Sequence, residues 1–172
     1  MRLAVALVAA RLGAMKHPKA ALSALILPLP TEADTTALGA RLASLARAGD
    51  CFLLEGPIGA GKSHLARAFI RARLGRDEDV PSPTFTLVQV YGDADNAIWH
   101  ADLYRLTHPD EVWELGLDDA FHSAITLVEW PDRLGGHAPQ DALHLRLEAV
   151  GDGRRAVITG GRSDLRKALG DG

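Results

Sequence analysis

The chain has few of the sequence features that are typical of secreted, membrane or nucleic-acid-binding proteins: it has little cysteine and no excess of positive charge. Cys51 is its single cysteine, so no intramolecular disulfide can form and nothing favours an oxidising compartment. Its 19 basic and 22 acidic residues give a formal net charge of −3, which offers no general attraction to a polyanion. These deficits favour a cytoplasmic protein whose contact with a nucleic acid, if it has one, is indirect.

The first residues contain a short apolar run that resembles a secretory signal. Arg2 is followed by LAVALVAA, but the run is too short to span a bilayer and Arg11 interrupts it. Lys16 and Lys19 then add charge where a cleavage region should be small and neutral. We therefore expect no signal and no membrane contact, and interpret this segment as a disordered extension or the product of an upstream start codon, with Met15 as another start.

Length and composition suit one folded domain. The 172 residues are 47% hydrophobic and 24% charged, as in ordinary soluble globular proteins. We expect an N-terminal extension at residues 1–28, a domain at residues 29–160 and a C-terminal tail at residues 161–172. No internal repeat or low-complexity tract interrupts this division.

Alternating helix and strand signals predict an α/β fold. Thr31 and Asp34 have the spacing of a capping box, ahead of an amphipathic run that ends at Gly49. A short apolar strand, CFLLE at Cys51 to Glu55, then enters a glycine-rich turn, and helical spacing resumes after Lys62. The chain therefore runs from strand through loop to helix in this region.

Two hairpins are predicted on either side of a short helix. Thr84 to Tyr91 and Ala97 to Leu103 are rich in β-forming residues and are separated by the turn cluster GDADN. Leu143 to Val150 and Ala156 to Thr159 are joined by GDG and read as a closing hairpin. The helix between them is expected to begin at a cap on Thr107.

The segment Gly56 to Ser63, GPIGAGKS, has the P-loop pattern G-x-x-x-x-G-K-[ST]. Glycines let the backbone wrap round phosphate oxygens and present N–H groups to them. Lys62 can reach the β and γ phosphates, and Ser63 can place its hydroxyl on Mg²⁺. The strand, loop and helix context places the motif where its mechanism requires it, and predicts a site that binds a nucleoside triphosphate with Mg²⁺.

A P-loop site also needs carboxylates at the ends of neighbouring strands, for the metal and for the attacking water. Glu129 ends the apolar strand ITLVE, and Asp102 ends AIWHAD. Both are candidates to face the γ phosphate. The alternatives are that Asp102 caps a turn and that Glu129 pairs with a surface arginine.

Four other residues are interpreted as structural rather than functional. His100 shares a strand face with Asp102, but no third ligand for a zinc ion lies nearby in the sequence. Cys51 suits a buried strand position. The adjacent Arg154 and Arg155 flank a hairpin turn and are expected to be solvated.

Five motifs in order resemble one family. They are GPIGAGKS, SPTFTLV at Ser82 to Val88, HADLYR at His100 to Arg105, ELGL at Glu114 to Leu117 and VEWPDRL at Val128 to Leu134. Together they resemble TsaE (YjeE), the bacterial ATPase subunit of tRNA threonylcarbamoyladenosine synthesis. The resemblance runs from about Leu29 to Gly160.

The resemblance implies a three-layer α/β P-loop NTPase fold, with a mostly parallel central sheet plus antiparallel hairpins, that binds ATP and Mg²⁺. It also implies an ATPase, weak alone, that acts with two partner proteins to support threonylcarbamoylation of the tRNA adenosine next to the anticodon. Catalytic roles would fall to Lys62, Asp102 and Glu129, with Asp102 positioning the water and with Ser63 and Glu129 holding Mg²⁺. The nucleotide would contact Gly56, Pro57, Ile58, Gly59, Ala60, Gly61, Lys62, Ser63, His64, Thr84, Thr86 and Trp130. Thr84 and Thr86 resemble a nucleotide-sensing segment, and Trp130 a tryptophan flanking the site.

The sequence departs from the family pattern at two places. The family usually has an acidic residue where Pro57 stands, and two threonines where Ser63 and His64 stand. Ser63 keeps the hydroxyl, whereas Pro57 removes one backbone donor and stiffens the loop. We expect this change to affect nucleotide affinity and turnover more than the binding mode.

Two other functions remain open from the residues alone. A small-molecule kinase would move the γ phosphoryl group to a metabolite, but such enzymes usually need an arginine-rich lid, which the sequence lacks. A nucleotide-dependent assembly switch would bind ATP to change partner contacts, with hydrolysis incidental. A GTPase is disfavoured because the guanine-reading pattern Asn-Lys-x-Asp is absent.

Overall fold

The computed structural model describes residues 24–171, so the expectations for the signal-like run, which falls in residues 1–23, lie outside it. No helix in residues 24–171 is long and apolar enough to cross a membrane. The strands of this range are β1 Leu25–Leu29, β2 Cys51–Glu55, β3 Val88–Tyr91, β4 Ile98–Asp102, β5 Ile125–Glu129, β6 Leu143–Val150 and β7 Gly153–Gly160. The α-helices are α1 Glu32–Leu45, α2 Lys62–Leu74, α3 Glu111–Glu114, α4 Leu117–Ser123 and α5 Ser163–Gly170.

The strands form one mixed sheet in the order β1-β7-β6-β2-β5-β4-β3. The four central strands β6, β2, β5 and β4 run parallel to one another. The pairs β1–β7, β6–β7 and β3–β4 are antiparallel. The predicted parallel centre with antiparallel hairpins is confirmed, and the strand that enters the P-loop lies in the middle of the sheet.

Helices cover both faces of the sheet and give the three layers predicted. Phe52 and Leu54 point into a core shared with α1, α2 and α5, whereas Cys51 and Leu53 point into a core shared with α3 and α4. Burial raises the pKa of the Cys51 thiol to about 12. This thiol is therefore neutral and unreactive at physiological pH, as expected for a packing residue.

Helix α1 begins with the predicted capping box. The Thr31 side chain accepts a hydrogen bond from the backbone N–H of Asp34, and the Asp34 carboxylate accepts the Thr31 N–H at 2.8 Å. The helix ends at Leu45, earlier than the Gly49 limit set by the sequence. Helix α2 is bounded by Gly61 and Gly75, both in the left-handed conformation that glycine adopts without strain.

The structure extends the folded region beyond both expected boundaries. Strand β1 begins at Leu25, inside the segment treated as an extension, and pairs with β7. Helix α5 occupies the segment treated as a tail, with Leu165 and Leu169 in the core. Arg162 anchors it by donating hydrogen bonds of 2.8 and 2.9 Å to the carboxylate of Asp50. Apolar burial and this ion pair explain why both segments are structured.

Two other local predictions require correction. Thr84 to Leu87 form a turn before β3, in which the Leu87 N–H donates to Pro83 O at 2.7 Å, and the hairpin strand starts only at Val88. The helix after Thr107 begins at Glu111, because Thr107 instead donates its hydroxyl to the Glu111 carboxylate at 2.6 Å.

Candidate nucleotide-binding site

The P-loop connects the carboxyl end of β2 to the first residue of α2. Gly56 has φ +136°, and a Cβ there would lie 2.7 Å from the carbonyl oxygen of Leu147 on β6. Gly61 has φ +102°, directly before the helix. Only glycine fits both positions without strain, so these two residues bring the loop backbone close to the sheet and aim the amino end of α2 at the loop.

Lys62 lies inside the loop, with only 5% of its surface exposed. Its Nζ donates hydrogen bonds to the carbonyl oxygens of Gly56 at 2.8 Å and Pro57 at 2.9 Å, and lies 4.0 Å from the ring centroid of Trp130. Burial lowers the pKa of the Lys62 ammonium, and the charges of Glu129 and Asp102 oppose that shift. The ammonium is thus held in position by neutral partners, with two carboxylates nearby.

The two predicted carboxylates meet at the ends of neighbouring parallel strands. Asp102 and Glu129 are register partners in β4 and β5, and both are buried. The Glu129 Oε2 accepts a hydrogen bond from the Ser63 hydroxyl at 2.9 Å, and its Oε1 lies 2.9 Å from His100 Nε2. Glu129 is therefore fixed on one side by the P-loop and on the other by a buried histidine.

Asp102 is oriented by the turn before β3. Its Oδ2 accepts hydrogen bonds from Thr84 Oγ1 at 3.0 Å and Ser82 Oγ at 3.3 Å, and its Oδ1 accepts the Tyr104 N–H at 3.0 Å. The turn-capping alternative is partly correct, since the Tyr104 bond is such a cap. The same carboxylate also joins the segment that resembles a nucleotide sensor to the candidate site.

A cavity of about 270 Å³ collects these groups. Its lining residues are Ile58, Gly59, Lys62, Ser63, Ser82, Thr84, Asp102, Tyr104, Glu129 and Trp130. Six sequence candidates do not line it, and two of these, Thr86 and His64, direct their side chains elsewhere. The Thr86 side chain is exposed, and the His64 ring turns away to contact Thr36 Oγ1 at 2.9 Å. Gly56, Pro57, Ala60 and Gly61 form the loop around the cavity without lining it.

The oxygen atoms of Ser63 and Glu129 suit a Mg²⁺ ion. Mg²⁺ prefers oxygen ligands and takes one or two protein groups together with phosphate oxygens and water. Within residues 24–171, no group of three or more His, Cys, Asp or Glu side chains could hold a metal by itself. A hydroxyl and a carboxylate 2.9 Å apart at the mouth of a P-loop therefore fit a magnesium that arrives with a nucleotide.

Backbone strain flanks the cavity on two sides. Trp130, directly after Glu129, has φ +59°, and Leu87, at the end of the turn that orients Asp102, has φ +64°. Bulky residues rarely adopt this conformation outside functional sites. At Trp130 it turns the indole over Lys62 and against the Tyr104 ring, whose centroid is 5.0 Å away.

Sequence reasoning missed the roles of three residues near the site. Ser82 and Tyr104 line the cavity, and His100 contacts Glu129. The sequence did indicate that His100 lies near the site, because its spacing of two from Asp102 puts both residues on the same strand face. Its partner on β5 was identifiable only once the register of the two strands was known.

Comparison with known proteins agrees with this geometry. A model of the family "Threonylcarbamoyl adenosine biosynthesis protein TsaE" matches residues 29–157. The tRNA threonylcarbamoyladenosine biosynthesis protein TsaE of Rickettsia conorii is 32% identical over 142 residues, covering 81% of each chain. The protein of the same name from Bacillus subtilis is 37% identical over 125 residues, covering 72% of this chain and 77% of its own length.

A solved structure supports the same conclusion. The crystal structure described as Bacillus subtilus YdiB superposes with a TM-score of 0.70 and 28% identity, and the match covers 87% of this chain and 93% of that one. The sequence comparison and the fold comparison therefore agree. The chain belongs to the TsaE family of threonylcarbamoyl adenosine biosynthesis proteins.

Proposed function

We propose that this chain is an ATP-binding and ATP-hydrolysing subunit that supports threonylcarbamoylation of the tRNA adenosine next to the anticodon, together with two partner proteins. The observation that carries the proposal is the convergence of Lys62, Ser63, Asp102 and Glu129 in one cavity. The TsaE family acts in tRNA threonylcarbamoyladenosine biosynthesis. A triphosphate site in a member of that family gives the biosynthesis a source of free energy.

The proposed roles follow from position and chemistry. The loop amides and Lys62 bind the phosphates, and the buried ammonium stabilises charge that develops on the transferred phosphoryl group. Asp102 orients the attacking water, because its carboxylate is already fixed by Ser82, Thr84 and the Tyr104 amide. Trp130 covers Lys62 and excludes solvent from its ammonium.

Ser63 and Glu129 would hold the Mg²⁺ that accompanies ATP. When bound, the ion would neutralise negative charge on the phosphates. The Ser63 and Glu129 oxygens already lie within hydrogen-bonding distance, so little movement is needed to share one ion. His100 keeps the Glu129 side chain facing the P-loop.

The proposed partners would cover the rim of this cavity. Ile58 is 76% exposed and Phe85 87% exposed, and Ile58 lines the cavity while Phe85 follows the Thr84 that anchors Asp102. Contiguous exposed apolar surface marks contact with another protein, and we propose that Ile58 and Phe85 belong to such a surface. The net charge of −3 supports indirect contact with tRNA, and we propose that the protein acts in the cytoplasm, where ATP and tRNA are available.

Reconstitution tests the proposal directly. The chain, its two candidate partners, tRNA, ATP and the threonylcarbamoyl donor are combined, and phosphate release and modified adenosine are measured together. We expect slow phosphate release by the chain alone, a faster rate with the partners, and tRNA modification that requires the chain and ATP. Sustained modification without the chain would contradict the proposal.

Two measurements separate the alternatives. A metabolite panel incubated with ATP would reveal a kinase if a phosphorylated product formed faster than phosphate release. A nonhydrolysable ATP analogue would reveal a pure assembly switch if it supported repeated rounds of modification as well as ATP does. We expect neither result, because the roles proposed for Asp102 and Glu129 are in hydrolysis.

A further inference from the structure

The hairpin of β6 and β7 carries two neighbouring arginines with different surroundings. Successive residues of a strand point to opposite faces of the sheet. Arg155 is exposed and its Nε donates a hydrogen bond of 2.6 Å to Glu148 Oε2. Arg154 shares its face with Ala156 and Ile158, which pack into the core beneath α1 and α2. From the sequence both arginines were expected to be solvated, whereas the alternation of the strand places only Arg154 on the side of the P-loop.

The Arg154 side chain lies over Gly61, the last glycine of the P-loop. A Cβ built on Gly61 would be 3.5 Å from Arg154 Nε, 3.7 Å from its Cδ and 3.9 Å from its Cζ. The guanidinium therefore occupies the space beside Gly61 that a side chain would fill, one residue before Lys62. A phosphate group held by the loop amides would come within reach of its N–H donors.

Arg154 has no charge partner among the described residues. No hydrogen bond or ion pair joins its guanidinium to another residue of the range 24–171, whereas Arg155 is paired with Glu148. Its side chain is partly buried. A guanidinium in this environment gains most from an anion, and its planar donor fork matches phosphate oxygens in particular.

We propose that Arg154 binds the α or β phosphate of the nucleotide from the hairpin side of the P-loop. This inference rests on the proposed ATP-binding function and adds a residue to it. The cavity that contains Lys62, Asp102 and Glu129 marks the γ phosphate side, and Arg154 does not line that cavity. In this role Arg154 would contact phosphates that are present in both ATP and ADP, and it would strengthen binding without entering the hydrolytic step.

Nucleotide affinity of the full chain tests this role. ATP and ADP dissociation constants are measured by calorimetry with Mg²⁺, for the wild-type chain and for Arg154→Ala, Arg154→Lys and Arg155→Ala. We expect Arg154→Ala to weaken both nucleotides by about tenfold, the effect of losing one hydrogen bond between charged groups at a partly exposed site. Arg154→Lys should recover only part of the loss, because the ammonium lacks the fork. Arg155→Ala is the matched control and should bind as the wild type does.

The rate of phosphate release at saturating ATP completes the test. We expect kcat to stay within about twofold of wild type in Arg154→Ala, because uniform binding affects the KM and leaves kcat unchanged. A large fall in kcat with ADP affinity unchanged would overturn the proposal in favour of a residue acting on the γ phosphate. Unchanged affinities in a folded Arg154→Ala chain would overturn it and leave the proposed function intact. A wild-type chain that binds neither nucleotide would overturn both.

Discussion

The two sides of strand β2 contribute opposite charges to the candidate site. On one side, the parallel strands β5 and β4 end in Glu129 and Asp102, and a web of hydrogen bonds from Ser63, His100 and the turn before β3 holds both carboxylates. On the other side, β6 leads into a hairpin that carries Arg154 over the loop, without a partner in the described chain.

Under the proposed function, this difference assigns a separate task to each side of β2. Carboxylates that orient a metal and a water must hold fixed positions, so they occur at the ends of buried parallel strands with several partners each. A cationic side chain that only binds phosphate can tolerate more positional freedom, so a hairpin at the side of the sheet can carry it. We expect variants on the carboxylate side to reduce kcat and variants on the arginine side to reduce affinity.

Glu129→Gln should have the largest effect. The amide keeps the size of the side chain but removes the negative charge that faces Ser63, and we expect kcat to fall by about 10³-fold, as for loss of a major electrostatic group. Phosphate release with the partners present measures it, and unchanged thermal stability is the control. A variant that keeps more than a tenth of wild-type turnover would show that the Glu129 carboxylate is not needed for hydrolysis.

Asp102→Asn should lower kcat by about 10²-fold, the scale of a missing general base or water-orienting group. The amide oxygen can still accept the Tyr104 N–H, and the Ser82 and Thr84 hydroxyls can reverse their roles, so the turn should keep its shape. ATP affinity by calorimetry should remain near wild type. Full turnover in this variant would show that Asp102 is structural only.

His100 should act through Glu129. In His100→Ala the carboxylate loses its 2.9 Å contact, and we expect the Mg²⁺ concentration for half-maximal activity to rise about tenfold, as for other groups that orient metal ligands. His100→Gln restores a donor at a similar position and should recover most of the loss. Equal Mg²⁺ requirements in both variants at equal stability would assign His100 to packing alone.

The coupling between Asp102 and Arg154 should be small. If the two sides work independently, the losses in Asp102→Asn and Arg154→Ala should multiply in the double variant to within about twofold, the usual scatter for sites that share no partner. The measured quantity is kcat/KM for phosphate release. A departure of more than tenfold would mean that the two sides of β2 are coupled.

Much of this arrangement could be predicted from local sequence. The P-loop pattern, the capping box at Thr31 and the apolar strand ending in Glu129 are contiguous signals, and each has a direct physical cause. Asp102 was identified because the ends of parallel strands meet at one edge of a sheet. Similarity across five motifs then identified the family.

The remainder depended on strand order and register. The adjacent residues Arg154 and Arg155 are chemically alike, and only the position of β7 next to β6 decides which one reaches Gly61. The contact between His100 and Glu129 requires the register of β4 on β5. Thr86 was named from its resemblance to a nucleotide-sensing segment and His64 from its place beside the P-loop, but the direction of each side chain is set by tertiary structure.

The left-handed backbone at Leu87 and Trp130 has a consequence for how this chain responds to selection. Each such residue costs ~1–3 kcal/mol, a sizeable share of the ~5–15 kcal/mol that keeps a domain folded. Glycine would release this strain at either position, but at Leu87 it would also remove packing against the core, so a library screened for thermal stability alone should enrich glycine at Trp130 more than at Leu87. The same library screened for growth should keep the bulky residues, because the indole over Lys62 and the turn behind Asp102 depend on that geometry.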